Sequence, residues 1–245
     1  MLINGKDLEN YSCSLIDRKI TPTEVITYNE WLDGAIQPTF VRQQDGFKTI
    51  EVVLIMKAES ELDAQYLISE LTRDAKKCEV NFDEDMDELY YDCVLAATPT
   101  VERLKPSVFQ ITLNFQSGYA CGKRVTINPD ISSGEISLKV KGTTAAPIIF
   151  TLTPIASSIV EVNVGGITTS QPCKLIDIPA NYSLVIDAEN NKVELVAKDG
   201  SEVKSAIDCY TNCWEMPKLQ PGKNTITLDY VTGYNVSISY KPRYI

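Results

Sequence analysis

The second half of the chain contains short apolar runs that recur about every ten residues, with turn residues between them. Runs of this length are typical of strands, since a globular helix usually needs more residues to bury one face. Their even spacing predicts an antiparallel sandwich of about eight strands. The predicted strands are Ile136 to Val140, Ile148 to Leu152, Ile159 to Val164, Leu175 to Ile178, Leu184 to Ile186, Val193 to Val196, Thr225 to Leu228 and Val236 to Tyr240.

The first half contains one segment with helical periodicity, residues 60–77. Its apolar residues recur at spacings of three and four, which places them on one helix face. Ser60 and Asp63 form a start that resembles a capping box, and basic residues in the last turn suit the helix dipole. The apolar positions are Ala64, Leu67, Ile68, Leu71, Ala75 and Cys78. Segments 47–58 and 108–116 are predicted strands, so the predicted fold class is mainly β with one helix.

Turn-forming residues gather between residues 118 and 134, where the composition of the chain changes. A chain of 245 residues is also long enough for two domains. We therefore expect two domains, a β domain with the helix at residues 1–130 and a β-sandwich at residues 131–245.

The chain contains no histidine, which excludes several classes of enzyme. Ser-His-Asp and Cys-His hydrolases, HExxH metalloproteases and most zinc enzymes all need this side chain. Residues 1–130 hold 22 acidic and 13 basic residues, whereas residues 131–245 hold 11 and 10. The acidic first half repels phosphate backbones and anionic lipids, so we expect protein partners, no specific nucleic-acid binding and no membrane attachment.

Neither a secretory signal nor a membrane-spanning helix is expected. Charged residues such as Lys6 and Asp7 occupy the place of an apolar signal core. The uncharged stretch 142–160 is interrupted by Pro147 and Pro154. The seven cysteines are an odd number, and we expect them to be reduced thiols.

The most acidic stretch, residues 79–92, resembles a calcium loop only at its start, with Asp83, Asp85 and Asp87. Its sixth position is Glu88, where such a loop needs glycine, and its twelfth is Val94, where the loop needs glutamate. The expected structure is a solvated turn without a metal. A run of exposed carboxylates also gives no reason for the pKa difference that glycoside hydrolysis requires.

Two other motifs fall short of a site. In Gly118–Lys123 the two glycines are one residue too close for a phosphate loop, and Arg124 replaces the required Ser or Thr. Cys173, Cys209 and Cys213 lack the paired short spacings and the fourth ligand of structural zinc. The sequence therefore predicts no catalytic residue, no cofactor and no metal ion.

Trp214 is the candidate for glycan binding or docking. The predicted sandwich contains further aromatic residues that could share a sugar-binding platform with it, namely Tyr182, Tyr210, Tyr230 and Tyr234. The alternative, and the interpretation that we favour from sequence, is that Trp214 fills one end or edge of the sandwich, or an interface between domains.

Val53 and Ile55 are the candidates for an oligomer interface. In residues 50–56 Glu51 is the only polar residue, so both faces of that strand are apolar. One helix can cover one face only, and a neighbouring subunit could cover the other. The alternative is a second sheet of the same domain.

Four stretches of the chain resemble the distal tail protein (Dit) family of long, non-contractile-tailed phages and related prophages. They are KGTTAAPIIFTLTP (141–154), YSLVIDAENNKVEL (182–195), MPKLQPGKNTITL (216–228) and VSISYKPRYI (236–245). Each stretch alone is ordinary hairpin chemistry. The four together, in this order and spacing, carry the resemblance.

The resemblance implies a structural virion protein and not an enzyme. It implies a tail-tube-like N-terminal β domain with one helix that forms a hexameric ring, and a galectin-like or carbohydrate-module-like C-terminal sandwich. Such a ring is a hub at the virion tail tip and is made in the bacterial host cytoplasm. It joins the tail-tube protein to the tail-associated lysin and to baseplate or receptor-binding proteins, while DNA passes through without specific binding.

Two alternatives remain open from the sequence. A carbohydrate-binding module or adhesin that recognises surface glycans would use the sandwich and Trp214. An enzyme would need a pocket with perturbed carboxylates, which a sequence does not reveal.

Overall fold

The computed structural model describes residues 1–82, 89–169, 171–211, 214–229 and 232–245. The chain divides into two compact units, Met1–Cys121 with Ile245, and Gly122–Tyr244. The strand Val125–Ile127 pairs within the second unit. The second unit therefore begins earlier than residue 131, where the sequence analysis placed its start.

The first unit combines a helix with two separate sheets. The α-helix α1 spans Glu61–Ala75, and a 3-10 helix spans Leu8–Tyr11. The strands are β1 (Leu2–Ile3), β2 (Lys6–Asp7), β3 (Cys13–Ile20), β4 (Val25–Glu30), β5 (Thr39–Asp45), β6 (Lys48–Lys57), β7 (Lys77–Asn81), β8 (Leu89–Leu95), β9 (Thr100–Lys105) and β10 (Val108–Gly122).

The larger sheet has the strand order β2-β1-β7-β8-β10-β6-β3, and β9 also pairs with β10. Alternation along β6 buries one face of this strand completely, because successive side chains of a strand point to opposite faces. The helix contributes Ala64, Leu71 and Ala75 to the same core. The buried residues of β6 and β10 in this core are Ile50, Val52, Leu54, Met56, Ile111, Leu113 and Phe115.

The helix begins as predicted and ends two residues earlier. The Ser60 side chain accepts a hydrogen bond from the backbone N–H of Asp63 (3.1 Å), which caps the first turn. Lys76 is the C-cap, and Lys77 is already the first residue of β7. Cys78, which the sequence analysis placed on the helix, is a buried residue of that strand.

Asp74 joins the last helical turn to the N-terminal segment. Its carboxylate accepts hydrogen bonds from Lys6 Nζ (2.7 Å), Arg73 Nε (3.0 Å) and the Tyr11 hydroxyl (2.8 Å). These three donors, Lys6 first, hold the pKa of Asp74 well below its usual range. Burial and then the Asp74 carboxylate raise the pKa of Tyr11 above its usual range. The N-terminal residues are thus fastened to the helix by a charged cluster.

Replacing Tyr11 with phenylalanine should lower the free energy of unfolding of the first unit by about 1–2 kcal/mol, because the buried ring loses its hydrogen bond to a carboxylate.

Asp74→Asn should also destabilise the first unit, and this effect should depend on pH. A carboxyl group with a depressed pKa in the folded state stabilises the protein above its unfolded pKa of about 4 and loses this contribution as the pH falls further. Thermal melts of wild type and Asp74→Asn should therefore differ at neutral pH and converge in acid. A constant difference would contradict this role.

The second unit consists of strands and one 3-10 helix, Ile207–Cys209, in its described residues. Its strands are β11 (Val125–Ile127), β12 (Glu135–Val140), β13 (Ala146–Pro154), β14 (Ile159–Gly165), β15 (Cys173–Ile178), β16 (Tyr182–Asp187), β17 (Lys192–Ala197), β18 (Val203–Ser205), β19 (Tyr210–Thr211), β20 (Lys218–Leu219), β21 (Gly222–Leu228), β22 (Tyr234–Tyr240) and β23 (Arg243–Tyr244).

Apart from β23, these strands form a β-sandwich. One sheet has the order β11-β22-β13-β16-β17-β18 with β20 on β13, and the other has the order β12-β21-β14-β15-β19. Buried side chains from both sheets, such as Phe150 and Ile226, belong to one hydrophobic core. Each of the eight predicted strands coincides with a strand of this sandwich. The predicted fold class, mainly β with a single helix in the described residues, is confirmed.

We expect each unit to fold independently, because each has its own hydrophobic core. Limited proteolysis should release a C-terminal fragment that begins between residues 118 and 134 and keeps a β-rich circular dichroism spectrum. A single resistant core that spans this interval would show that the two units are not independent domains.

Candidate functional site

Strands β4 and β5 form a hairpin that is a two-stranded sheet of its own. Hydrogen bonds between Gly46 N and Glu24 O (2.6 Å) and between Glu24 N and Phe47 O (3.3 Å) close its base. At its tip, Gly34 has a positive φ of 81°, and Ala35 N donates to Leu32 O (3.0 Å). The glycine permits the left-handed conformation of this turn at no steric cost.

The hairpin exposes large apolar side chains along its whole length. Every residue of β5 is exposed, and Ile36 at the tip is 98% exposed. Few polar contacts support the strands, among them Arg42 over the Tyr28 ring at 4.5 Å. The exposed apolar residues of residues 25–41 are Val25, Tyr28, Trp31, Leu32, Ile36, Phe40 and Val41, and we call them the hairpin patch.

An isolated two-stranded hairpin is only marginally stable in water. Clustered exposed apolar side chains mark interaction sites in soluble proteins. The hairpin patch is therefore the strongest candidate for a protein interface in the described part of the chain. The sequence analysis missed it, although Trp31, Leu32 and Ile36 around Gly34 are apolar residues at a turn, where polar residues are usual.

Val53 and Ile55 lie on the face of β6 opposite its buried residues, and both are half-buried. Cross-strand partners share a face, and those of Val53 and Ile55 on β10 are Thr112 and Gln110. This face of the sheet is thus a narrow apolar strip beside polar neighbours. It is a weaker candidate for an interface than the hairpin patch.

Trp214 does not belong to the core of the sandwich, because its side chain is fully exposed. Of its expected aromatic companions, Tyr210 and Tyr234 are buried, Tyr182 is half-buried and lines a different pocket, and Tyr230 lies outside the described residues. Trp214 instead lines a pocket of about 510 Å³. The other lining residues are Gln171, Ile207, Asp208, Tyr210, Thr211 and Met216.

Glu215, the residue next to Trp214, makes several hydrogen bonds. Its Oε2 accepts hydrogen bonds from Thr169 N (2.9 Å) and Thr169 Oγ1 (2.6 Å), and its Oε1 accepts one from Lys218 Nζ (2.6 Å). Lys218 first, and then Thr169, lower the pKa of Glu215 to about 2. The Tyr210 hydroxyl donates to the backbone carbonyl of Glu215 (2.6 Å). Hydrogen bonds therefore hold both the side chain and the backbone of Glu215, the residue next to Trp214.

The near-miss motifs do not form sites in the described residues. Gly118–Gly122 is part of β10, so it is a strand and not a phosphate loop. Asp83, Asp85 and Asp87 lie outside the described residues, as does Cys213. The described residues contain no group of three or more side chains that could hold a metal ion. Burial raises the pKa of Cys13 and of Cys78 to about 12, which disfavours reactive thiolates there.

Within the described part of the chain, no helix is both long and apolar enough to cross a membrane.

Residues 141–244, most of the sandwich, match the family described as siphovirus-type tail component, C-terminal domain. No curated protein sequence matches the chain. The resemblance to the distal tail protein family that the sequence predicted is confirmed by this match and by the structural similarity to SPP1 Dit.

Solved structures share the fold of the whole chain. The Dit (gp 19.1) protein of phage SPP1, described as a paradigm of hub adsorption apparatus in Gram-positive infecting phages, has 13% sequence identity and a TM-score of 0.76. The similarity covers 100% of this chain and 98% of that one. Chains of the phage p2 baseplate in its activated conformation, with Sr or with Ca, have 11% sequence identity and a TM-score of 0.57. The similarity covers 98% of this chain and 94% of each of those chains.

The two candidate surfaces relate differently to the tail component domain. The Trp214 pocket lies inside the matched residues 141–244, whereas the hairpin patch lies outside them. For the hairpin, the similarity to SPP1 Dit and to the p2 baseplate chains therefore concerns the fold alone.

Proposed function

We propose that this protein is the distal tail hub of a siphophage or of a related prophage. In this proposal the first unit forms a hexameric ring at the virion tail tip. The ring joins the tail-tube protein to the tail-associated lysin and to the baseplate or receptor-binding proteins. The protein is made in the bacterial host cytoplasm and acts as a structural component, not as an enzyme.

The hairpin patch is the observation that supports the proposed ring. Its side chains lie in water in the single chain, and burying each large apolar side chain contributes about 1.5–3 kcal/mol. A second copy can bury the patch on every subunit if each hairpin contacts the next subunit. Repetition of such a head-to-tail contact closes into a ring when the rotation between subunits permits it. The number six comes from the family resemblance.

The charge distribution supports a DNA conduit. The acidic excess of the chain lies in residues 1–130, within the proposed ring-forming half. Tight DNA binding depends on basic residues that contact phosphates and release counterions. A channel with acidic walls would let DNA pass without binding to it.

The mass of the purified protein tests the ring. Light scattering at micromolar concentrations should give about six times the 27.2 kDa of one chain, to which the mass of bound tail-tube and tail-tip partners is added when these are present. A protein that stays monomeric with both partners would contradict the ring and the hub function.

A further inference from the structure

Cys78 and Cys93 lie directly opposite each other in the antiparallel pair of β7 and β8. Residues opposite each other across two strands share one face of the sheet. Both side chains belong to the hydrophobic core of the first unit and are almost completely buried. Both are free thiols in the structure. Two thiols therefore approach each other from neighbouring strands inside this core.

The backbone register fixes the spacing of the two cysteines. Leu95 N donates to Lys76 O (3.1 Å), and hydrogen-bonded pairs recur at every second residue of an antiparallel ladder. Cys78 and Cys93 lie two positions further along, so they are also a hydrogen-bonded pair, and the Cα atoms of such pairs are about 5.5 Å apart. Disulfides join residues whose Cα atoms are about 4.4–6.8 Å apart. The two strands therefore already have the spacing that a disulfide needs.

The two thiols differ in how readily they ionise. Burial raises the pKa of Cys78 to about 12. Burial, then the nearby Cys78 and then Asp92 raise the pKa of Cys93 further. Cys78 is also slightly more exposed than Cys93. Because the thiolate is the form that an oxidant attacks, Cys78 is the sulfur that reacts first.

The other two cysteines of the first unit are too far away to replace either partner. Cys13 lies on β3, which is three strands from β8 in the sheet, or about 14 Å at normal strand spacing. Cys121 Sγ lies 4.0 Å from Asp92 Oδ2. Asp92 precedes Cys93 in β8 and therefore points to the opposite face of the sheet. Cys121 is thus separated from the two thiols by the sheet itself.

We propose that Cys78 and Cys93 are a disulfide-forming pair that hydrogen peroxide oxidises. The Cys78 thiolate attacks one peroxide oxygen, the O–O bond breaks and hydroxide leaves, so that Cys78 becomes a sulfenic acid. The Cys93 sulfur then attacks the Cys78 sulfur. The S–S bond forms, the S–O bond breaks, and the departing hydroxide takes the Cys93 proton and leaves as water. In total the two thiols lose two protons and two electrons, and the peroxide is reduced to water.

The redox compartment determines when this bond forms. Thiols are kept reduced in the cytoplasm, whereas disulfides persist on virion surfaces. The crosslink would therefore form after the protein leaves the host cell. This timing rests on the proposed function, but the chemistry of the pair does not. Closing a loop of roughly 15 residues removes conformational freedom from the unfolded chain, so the oxidised protein should be harder to unfold.

Oxidation of the purified full-length protein tests the pair. Incubation with hydrogen peroxide at about pH 9 raises the thiolate fraction of buried cysteines. Peptide mapping without reductant should then find Cys78 joined to Cys93. The melting temperature of the first unit should rise by roughly 5 °C or more. Dithiothreitol should reverse both changes.

Four variants separate this pair from the other buried thiols. Cys78→Ala and Cys93→Ala should each abolish the crosslink and the rise in melting temperature. Cys13→Ala and Cys121→Ala also remove a buried thiol of the first unit, and they should keep both effects. Circular dichroism checks that each variant is folded. If a variant does not fold, the peptide map of the wild type still decides.

Three results would overturn the proposal. In the first, Cys78 and Cys93 of the wild type stay thiols, or carry sulfinic or sulfonic acid without a link. In the second, the folded protein forms a disulfide between other cysteines in place of this one. In the third, the rise in melting temperature persists in folded Cys78→Ala. None of them bears on the ring, whose own test is the mass of the assembly.

Discussion

Replacing Ile36 and Phe40 together with aspartate should convert the proposed ring into monomers. Both side chains belong to the hairpin patch and are exposed in the single chain. Central apolar residues of an interface typically contribute about 2 kcal/mol or more each, and a buried charge without a partner costs several more. Light scattering should show a mass near 27.2 kDa in place of about six times that value.

The folded monomer should be unaffected by this double change. Substitution of exposed side chains usually alters the free energy of unfolding by about 0.5 kcal/mol or less, so the melting temperature should stay close to that of wild type. Val160→Asp and Val203→Asp are matched controls, because both valines are exposed and belong to the second unit. These controls should keep the ring.

The variants Val53→Asp and Ile55→Asp distinguish the two candidate interfaces of the first unit. If the ring needs the apolar strip on β6, these changes should also give monomers while the sandwich stays folded. A ring that survives the hairpin changes and is lost only with Val53→Asp or Ile55→Asp would move the interface from the hairpin patch to the strip. A ring that survives all of these changes would exclude both surfaces.

Gly166→Ala should destabilise the second unit by roughly 3 kcal/mol. Gly166 follows β14 and has a positive φ of 80°. A Cβ atom there would lie 2.1 Å from the Thr225 carbonyl oxygen and 3.1 Å from the Thr225 carbonyl carbon. Both are backbone atoms of β21, so the alanine can be accommodated only if the strands move apart. A thermal melt should show a decrease of roughly 10 °C in the melting temperature of this unit.

Gly200→Ala is the matched control for this prediction. Gly200 also has a positive φ, 73°, but nothing lies within 4 Å of the position of its Cβ. Its substitution should cost only the intrinsic penalty of a left-handed alanine, about 1 kcal/mol. Equal effects of the two substitutions would show that the contact with Thr225 does not matter.

Much of the secondary structure was predictable because local patterns report it. The eight sandwich strands alternate or form short apolar runs, and each run coincides with an observed strand. The Ser60 cap of α1 was visible because it depends on residues three positions apart. Strands of two or three residues, such as β19 and β20, were missed because they are too short to show a period.

Two further conclusions came from the sequence alone. They rest on the absence of histidine and on the order of the four C-terminal stretches. The first excludes most acid–base and metal chemistry from composition alone. The second indicated the tail protein family, which the match of residues 141–244 confirms.

Tertiary structure decided which apolar residues remain uncovered. The hairpin of β4 and β5 carries apolar side chains such as Trp31 and Ile36, and no other strand of the described residues pairs with it. Trp214, which the sequence analysis favoured as filling an end or edge of the sandwich or a domain interface, is fully exposed. Periodicity shows which residues share a face of an element. Whether that face is covered depends on residues far away in the chain, as in the Asp74 cluster, where Lys6 and Tyr11 lie more than 60 positions from their partner. Those long-range contacts form only in the folded chain, and they determined which surfaces of this protein are free to bind.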